Sequence, residues 1–123
     1  MSVRTTLVEY LTTLVASTPE LEDVRVIPTI RYVGEISTPI LIVKTNSLAK
    51  IAAAPRAGFL GSFTLTLVSP HKDLDRAEDD LEGRLEVLLP SLFTWGLLWE
   101  SADQAQYDKD RICYDIHTTS VLN

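Results

Sequence analysis

Residues 63–88 read FTLTLVSPHKDLDRAEDDLEGRLEVL, and their two halves obey different periods. In the first half Phe63, Leu65 and Leu67 alternate with Thr64 and Thr66, the two-residue repeat of a strand with one wet and one dry face. Ser69-Pro70 then interrupts the chain. From Asp73 onward Leu74, Ala77, Leu81, Leu85 and Leu88 recur at three- and four-residue intervals, which makes one narrow apolar stripe on a helix. Asp73 is suited to cap that helix, because its carboxylate can accept from the orphan N–H groups of the first turn. Pro90 is expected to end it near Leu89.

Working outward from this strand–helix pair, Val3, Leu7, Tyr10, Leu11, Leu14 and Val15 predict a helix over residues 2–17, closed by Pro19. DVRVIP (23–28) is a short strand candidate with Val24 and Val26 on one face and Arg25 and Ile27 on the other. PILIVKT (39–45) is β-branched and aliphatic, as in a central strand buried on both faces. Residues 95–107 and 111–119 read as two strands joined at Asp108-Lys109-Asp110. In the last of these Ile112, Tyr114 and Ile116 face one way, and Cys113, Asp115 and His117 the other. Residues 29–38 read as a connection. NSLAKIAAAPRAGFLG, residues 46–61, has no clean period and is expected to form a long excursion or protruding hairpin with its tip near 54–58.

The expected fold is therefore α+β, in the order α-β-β-β-α-β-β: a two-layer sandwich with a mostly antiparallel sheet and two helices on one face. At 123 residues, with 46% hydrophobic and 23% charged, the chain fits a single globular domain spanning 1–123 with one core. The longest uncharged apolar run, Val87–Trp99, contains Pro90 and Gly96 and is shorter than the roughly 20 residues of a membrane span. The opening MSVRTTLVEYL lacks the apolar core of a signal peptide. With Cys113 alone, no intramolecular disulfide is possible and a reducing cytoplasm is the expected folding compartment. The pair Trp95 and Trp99 is read as core.

Chemistry-bearing residues are sparse. Cys113 and His117 share a strand face but stand four residues apart, about 13 Å, too far for a nucleophile and its base. Asp73, Asp75, Glu78, Asp79, Asp80 and Glu82 look at first like a cation cluster. A calcium loop would need glycine at its sixth position, where Glu78 stands, so a solvated helix face is the better reading. No catalytic residue, cofactor or metal is expected.

What stands out is the distribution of charge. The chain has 11 basic and 17 acidic residues, a net charge of −6, which disfavours tight duplex binding. From Ile36 to Lys72 there is no acidic residue, only Lys44, Lys50, Arg56 and Lys72. From Asp73 to Glu86 seven acidic residues outweigh two basic ones. Blocks of opposite sign suit a head-to-tail contact between copies, in which Lys44, Lys50 and Arg56 of one copy meet Asp75, Asp79, Asp80 and Glu82 of the next. A helix that merely needs a polar outer face would show the same acids.

The stretch 63–88 resembles tail terminator (tail completion) proteins of long, non-contractile-tailed bacteriophages. The matching features are the alternating strand, Ser69-Pro70, Asp73, the string Arg76-Ala77-Glu78-Asp79-Asp80-Leu81 and the leucine stripe. The N-terminal helix, PILIV and the closing hairpin fit the same layout. The resemblance implies a sheet with packed helices and a homo-oligomeric ring, a hexamer. It implies no enzymatic activity and a virion location reached after assembly in the host cytoplasm. The ring would cap the head-proximal end of the tail tube, stop tube growth and dock the neck, or head–tail connector, proteins. Its partners would be its own copies, the major tail tube protein and those neck proteins, with phage DNA passing through unread and no membrane. Other expectations are a different neck component, such as a head-side stopper or adaptor, and a small cytoplasmic ligand-binding α+β domain. The last needs convergent polar groups in a pocket, for which the sequence offers no set.

Overall fold

The first helix forms where the sequence places apolar residues on one side. In the computed structural model, which describes residues 3–28, 36–50, 59–94 and 96–122, helix α1 spans Val3–Ser17. It turns Leu7, Leu11, Leu14 and Val15 inward. Pro19 stops it, since proline disfavours helical geometry in the residue before it. The Thr18 hydroxyl donates to the Leu14 carbonyl at 2.8 Å, satisfying one of the orphan acceptors of the last turn. A 3-10 turn at Pro19–Leu21 then leads into strand β1, Arg25–Ile27.

The sheet comprises β1, β2 (Ile40–Lys50), β3 (Phe59–Val68), β4 (Leu98–Gln106) and β5 (Ile112–Leu122), in the spatial order β1-β2-β3-β5-β4. β1 runs parallel to β2, and every other pairing is antiparallel. β2 is buried on both faces through Ile40, Leu41, Ile42 and Val43, as its apolar run predicts. The central position, however, belongs to β3, because β1 covers only the first three residues of β2. The β2–β3 ladder continues well past that buried stretch: Ser47 pairs with Ser62, and Lys50 with Phe59. Residues 46–50 and 59–61, read from sequence as part of a long excursion or protruding hairpin, belong to the strands β2 and β3. The expected tip at 54–58 lies outside the described residues, as does most of the connection at 29–38.

Two bulges interrupt the register. Asn46 is the extra residue on β2, between Thr45↔Phe63 and Ser47↔Ser62, and its amide donates to the Thr64 hydroxyl at 2.6 Å. Glu100 is the extra residue on β4, between Trp99↔Thr118 and Ser101↔His117.

Helix α2, Leu74–Thr94, is capped as the sequence predicts, with the Asp73 carboxylate accepting from the Asp75 N–H at 3.1 Å. It does not end at Leu89. Pro90 sits inside the helix and is exposed. The carbonyl it leaves unpaired, that of Glu86, belongs to a residue on the wet side, where water can serve it. Beyond the proline Leu92 is fully buried, and the Ser91 hydroxyl donates to the Val87 carbonyl at 3.0 Å. Packing of Leu92 outweighs the local cost of the proline, and the helix runs on. The Gly96 N–H and Leu97 N–H bond back to the carbonyls of Phe93 and Leu92, and Gly96 adopts φ 87°, a conformation that favours glycine, to start β4.

Both helices pack on one face of the sheet. Leu7, Leu11 and Leu14 of α1 and Leu81, Leu85, Leu88 and Leu92 of α2 share a core with Leu41, Val43, Phe63, Leu65, Leu67 and Ile116. The other face carries a smaller cluster at one end, formed by Ile27, Ile36, Ile40, Ile42, Val68 and Cys113. Beyond that cluster the face carries Lys44, Thr64, Thr66, Asp115 and His117, as the alternation of β3 and β5 requires, with the exposed Leu60 and Leu98 at its far end.

Candidate interaction surface

Helix α2 sorts its acids by angle. With Ala77, Leu81, Leu85, Leu88 and Leu92 buried, a rotation of about 100° per residue places Asp75, Asp79, Glu82 and Glu86 on the outer side, and all four are exposed. Asp80 falls on the flank nearer the 3-10 turn. Its Oδ1 accepts from the Arg84 Nε at 3.0 Å, and Arg84 also grips Asp23 through two bonds of 2.6 and 2.9 Å and donates to the Glu20 carbonyl. The hydrogen bond from Arg84 holds the Asp23 carboxyl below the usual carboxylate range. Burial alone would lower the Arg84 pKa, but Asp23 and Asp80 outweigh it and the guanidinium is held more firmly protonated. Asp80 is therefore a fastening between α2 and the chain before β1, whereas Asp75 and Asp79 point to solvent.

The opposite flank of α2 faces β4 and β5. There the Gln104 amide donates to Glu78 and to the Tyr114 hydroxyl, both at 3.3 Å, and the Tyr114 hydroxyl lies 3.4 Å from Glu82. Burial raises the Tyr114 pKa, with the nearby Glu82 and Glu78 charges adding to it. Glu82 thus belongs partly to this network and partly to the outer face.

Of the basic residues expected to oppose these acids, Lys44 is exposed on the polar face of the sheet, on the side away from the helices. Lys50 closes the described β2–β3 ladder, with its side chain outside the description. Arg56 lies outside the described residues. Among the described residues the ion pairs are Arg84 with Asp23 and Asp80, Arg111 with Asp108, and His117 with Asp103. None joins Lys44 to α2, because the thickness of the sheet separates them.

Groups that could do chemistry are dispersed or inert. Cys113 is buried against Ile40, Ile42 and Val68, and burial, reinforced by the Asp115 charge, pushes its thiol up to about 12. A thiol in that state is not a nucleophile at neutral pH. His117 Nε2 lies 3.4 Å from Asp103 on the polar face, with His117 half-buried and Asp103 exposed. Among the described residues no three His, Cys, Asp or Glu side chains come together in a way that could hold a metal ion. No described helix is long and apolar enough to cross a membrane. A groove of about 310 Å³ runs between α1 and β1, lined by Val15, Val24 and Val26 with Glu22 and Arg25 at its rim. Its walls are mainly aliphatic.

One surface feature escapes a pattern-based reading. Leu48, Leu60, Phe93, Leu98 and Trp99 are all exposed, although leucine and tryptophan are expected inside. Trp99 in particular is not core, and Trp95 lies outside the described residues. Only the lack of a clean period around residues 46–61 hinted that apolar residues there had no buried face. Compared with known proteins, the chain matches no family model and no curated protein.

Proposed function

We propose that this chain is a structural protein of a long-tailed, non-contractile bacteriophage. It assembles as a ring on the head-proximal end of the tail tube, ends tube polymerisation and provides the docking surface for the neck. The observation that carries this reading is the separation between the outward acids of α2 and the acid-free strands β2 and β3, whose Lys44 lies on the uncovered face that it shares with Asp103 and Asp115 of β4 and β5. Asp75, Asp79, Glu82 and Glu86 face outward from α2 and Lys44 from the uncovered face, in a segment without a single acid from Ser37 to Lys72. The two patches cannot meet within one chain. Copies arranged head to tail can pair them, and a head-to-tail contact closes into a ring when its rotation permits. Electrostatic complementarity of this kind sets orientation and partner choice more than raw affinity.

The resemblance of residues 63–88 to tail terminators supplies the location and the six-fold count. The net charge of −6 agrees with a channel through which duplex DNA slides without sequence-specific binding. In this reading the protein is no enzyme and takes no cofactor, and its partners are its own copies, the tail tube protein and the neck proteins.

Light scattering of the purified chain is expected to give about six times the 13.7 kDa of one copy. Labelling of intact particles is expected to place it at the junction of head and tail. A chain that stays monomeric and also fails to bind isolated tube ends would overturn the proposal. Label on DNA-filled heads before tails join would reassign it to a head-side stopper.

A further inference from the structure

The sheet has a free strand edge on each side. β1 pairs with β2 only at Ile40–Ile42, and among the described residues nothing pairs with the outer edge of β2 from Val43 to Lys50. β4 ends the sheet on the other side and, among the described residues, pairs with β5 alone. Lys44, Asn46, Ser47, Leu48 and Ala49 are exposed, and so are Leu98, Trp99, Glu100 and Asp103. A free edge carries a row of unpaired N–H and C=O groups and is a template for another strand.

Charge selects which strand. β2 carries Lys44 and Lys50 and no acid, whereas β4 carries Glu100 and Asp103 and no basic residue. Two β2 edges would set lysines against lysines, and two β4 edges carboxylates against carboxylates, so each edge rejects its own kind. Strand direction favours the unlike pairing as well. β2 and β4 run antiparallel within one sheet. A β4 laid beside the β2 of the next copy, with both copies the same way up, is therefore antiparallel too. All copies then turn their helices to the same side of the joined sheet, as a head-to-tail ring requires.

We propose that β4 of one copy pairs with β2 of the next and extends the sheet from copy to copy. β1 blocks the edge at Ile40–Ile42, so the innermost place open to β4 sets Ala105 beside Lys44, both on the uncovered face. From there the bulges at Asn46 and Glu100 keep the faces matched. Lys44 lies diagonal to Asp103 on the uncovered side, and Leu48 diagonal to Trp99 on the helix side. Diagonal neighbours are within reach of long and aromatic side chains. The acid-free hairpin β2–β3 of the next copy comes alongside Glu78, which accepts from Gln104 of β4 at 3.3 Å. This rests on the head-to-tail reading above and names the strands that join.

The test uses the full chain. In sedimentation equilibrium Lys44→Asp and Asp103→Lys are each expected to weaken self-association about tenfold or more. Lys44→Asp/Asp103→Lys, which restores opposite signs across the joint, is expected to recover most of that loss. Circular dichroism and the urea midpoint of the separated copies check that each variant folds. Amide hydrogen exchange of the wild type is expected to slow in residues 43–50 and 98–106 at concentrations where copies associate. Single variants that assemble like the wild type, a double variant no tighter than the single ones, or exchange in the two strands that assembly leaves unchanged would overturn the edge pairing and leave the ring reading standing. A wild type that remains monomeric at the highest concentration would remove both.

Discussion

The hairpin β2–β3 has two ends made of the same ladder in opposite surroundings. At one end Ile40–Val43, Leu65, Leu67 and Val68 are buried between the helices on one face and the Cys113 cluster on the other. At the other, Ser47–Ala49 are exposed and Leu60 is only partly covered. Backbone pairing runs through both, broken only by the bulge at Asn46. The contrast shows that hydrogen bonding extends a strand, whereas burial decides whether it contributes to stability or stays open to a partner.

The contrast is sharpest if one end tolerates what the other cannot. Leu65→Ala, at a fully buried position, is expected to cost about 2–5 kcal/mol in urea denaturation, the range for removing a core leucine side chain. A loss below about 1 kcal/mol would mean that the supposed core collapses freely around the gap. Arg84→Met comes next. It keeps the aliphatic stem but removes the bonds to Asp23, Asp80 and the Glu20 carbonyl, at an expected cost of about 1–3 kcal/mol near neutral pH. Asp23 has a depressed folded pKa, so its contribution is present above its ordinary value of about 3.9 and fades as pH falls through the lower folded value. The gap between wild type and Arg84→Met should therefore narrow below about pH 4 in an acid series of denaturation curves. A gap that widens on acidification would show that the Asp23 contact does not stabilise the folded chain. The smallest effect is expected at the open end. Leu48→Ser should shift stability by no more than about 0.5 kcal/mol when copies are kept dilute and separate. A larger loss would mean that this end is core after all.

The sequence carries the α+β order because the period-two alternation of Phe63, Leu65 and Leu67 and the leucine stripe of α2 are both set by one continuous interface. The cap at Asp73 is legible for the same local reason. Pro90 misleads because its cost is local while the burial of Leu92 is tertiary. The outer half of the hairpin is illegible because residues 46–50 have no alternation of their own. Their register comes from β3, which is held in turn by β5.

Within the candidate surface, Asp75 and Asp79 can be placed outward from helical angle alone. Asp80 cannot, since its role depends on Arg84 gripping Asp23, 61 residues away in the chain. The exposed leucines are the least legible feature. A leucine reads as core until the sheet row that carries it is seen to run beyond its cover.

Asn46 has one more effect. A strand with an added residue coils more tightly and bends, and Glu100 introduces the same irregularity on β4 at a nearby level. Because Asn46 takes a place on β2 with no partner on β3, the alternation changes phase there: Leu48 stands on the helix side, where strict alternation from Lys44 would have put Ala49. Deleting Asn46 would keep those pairings and straighten the strand.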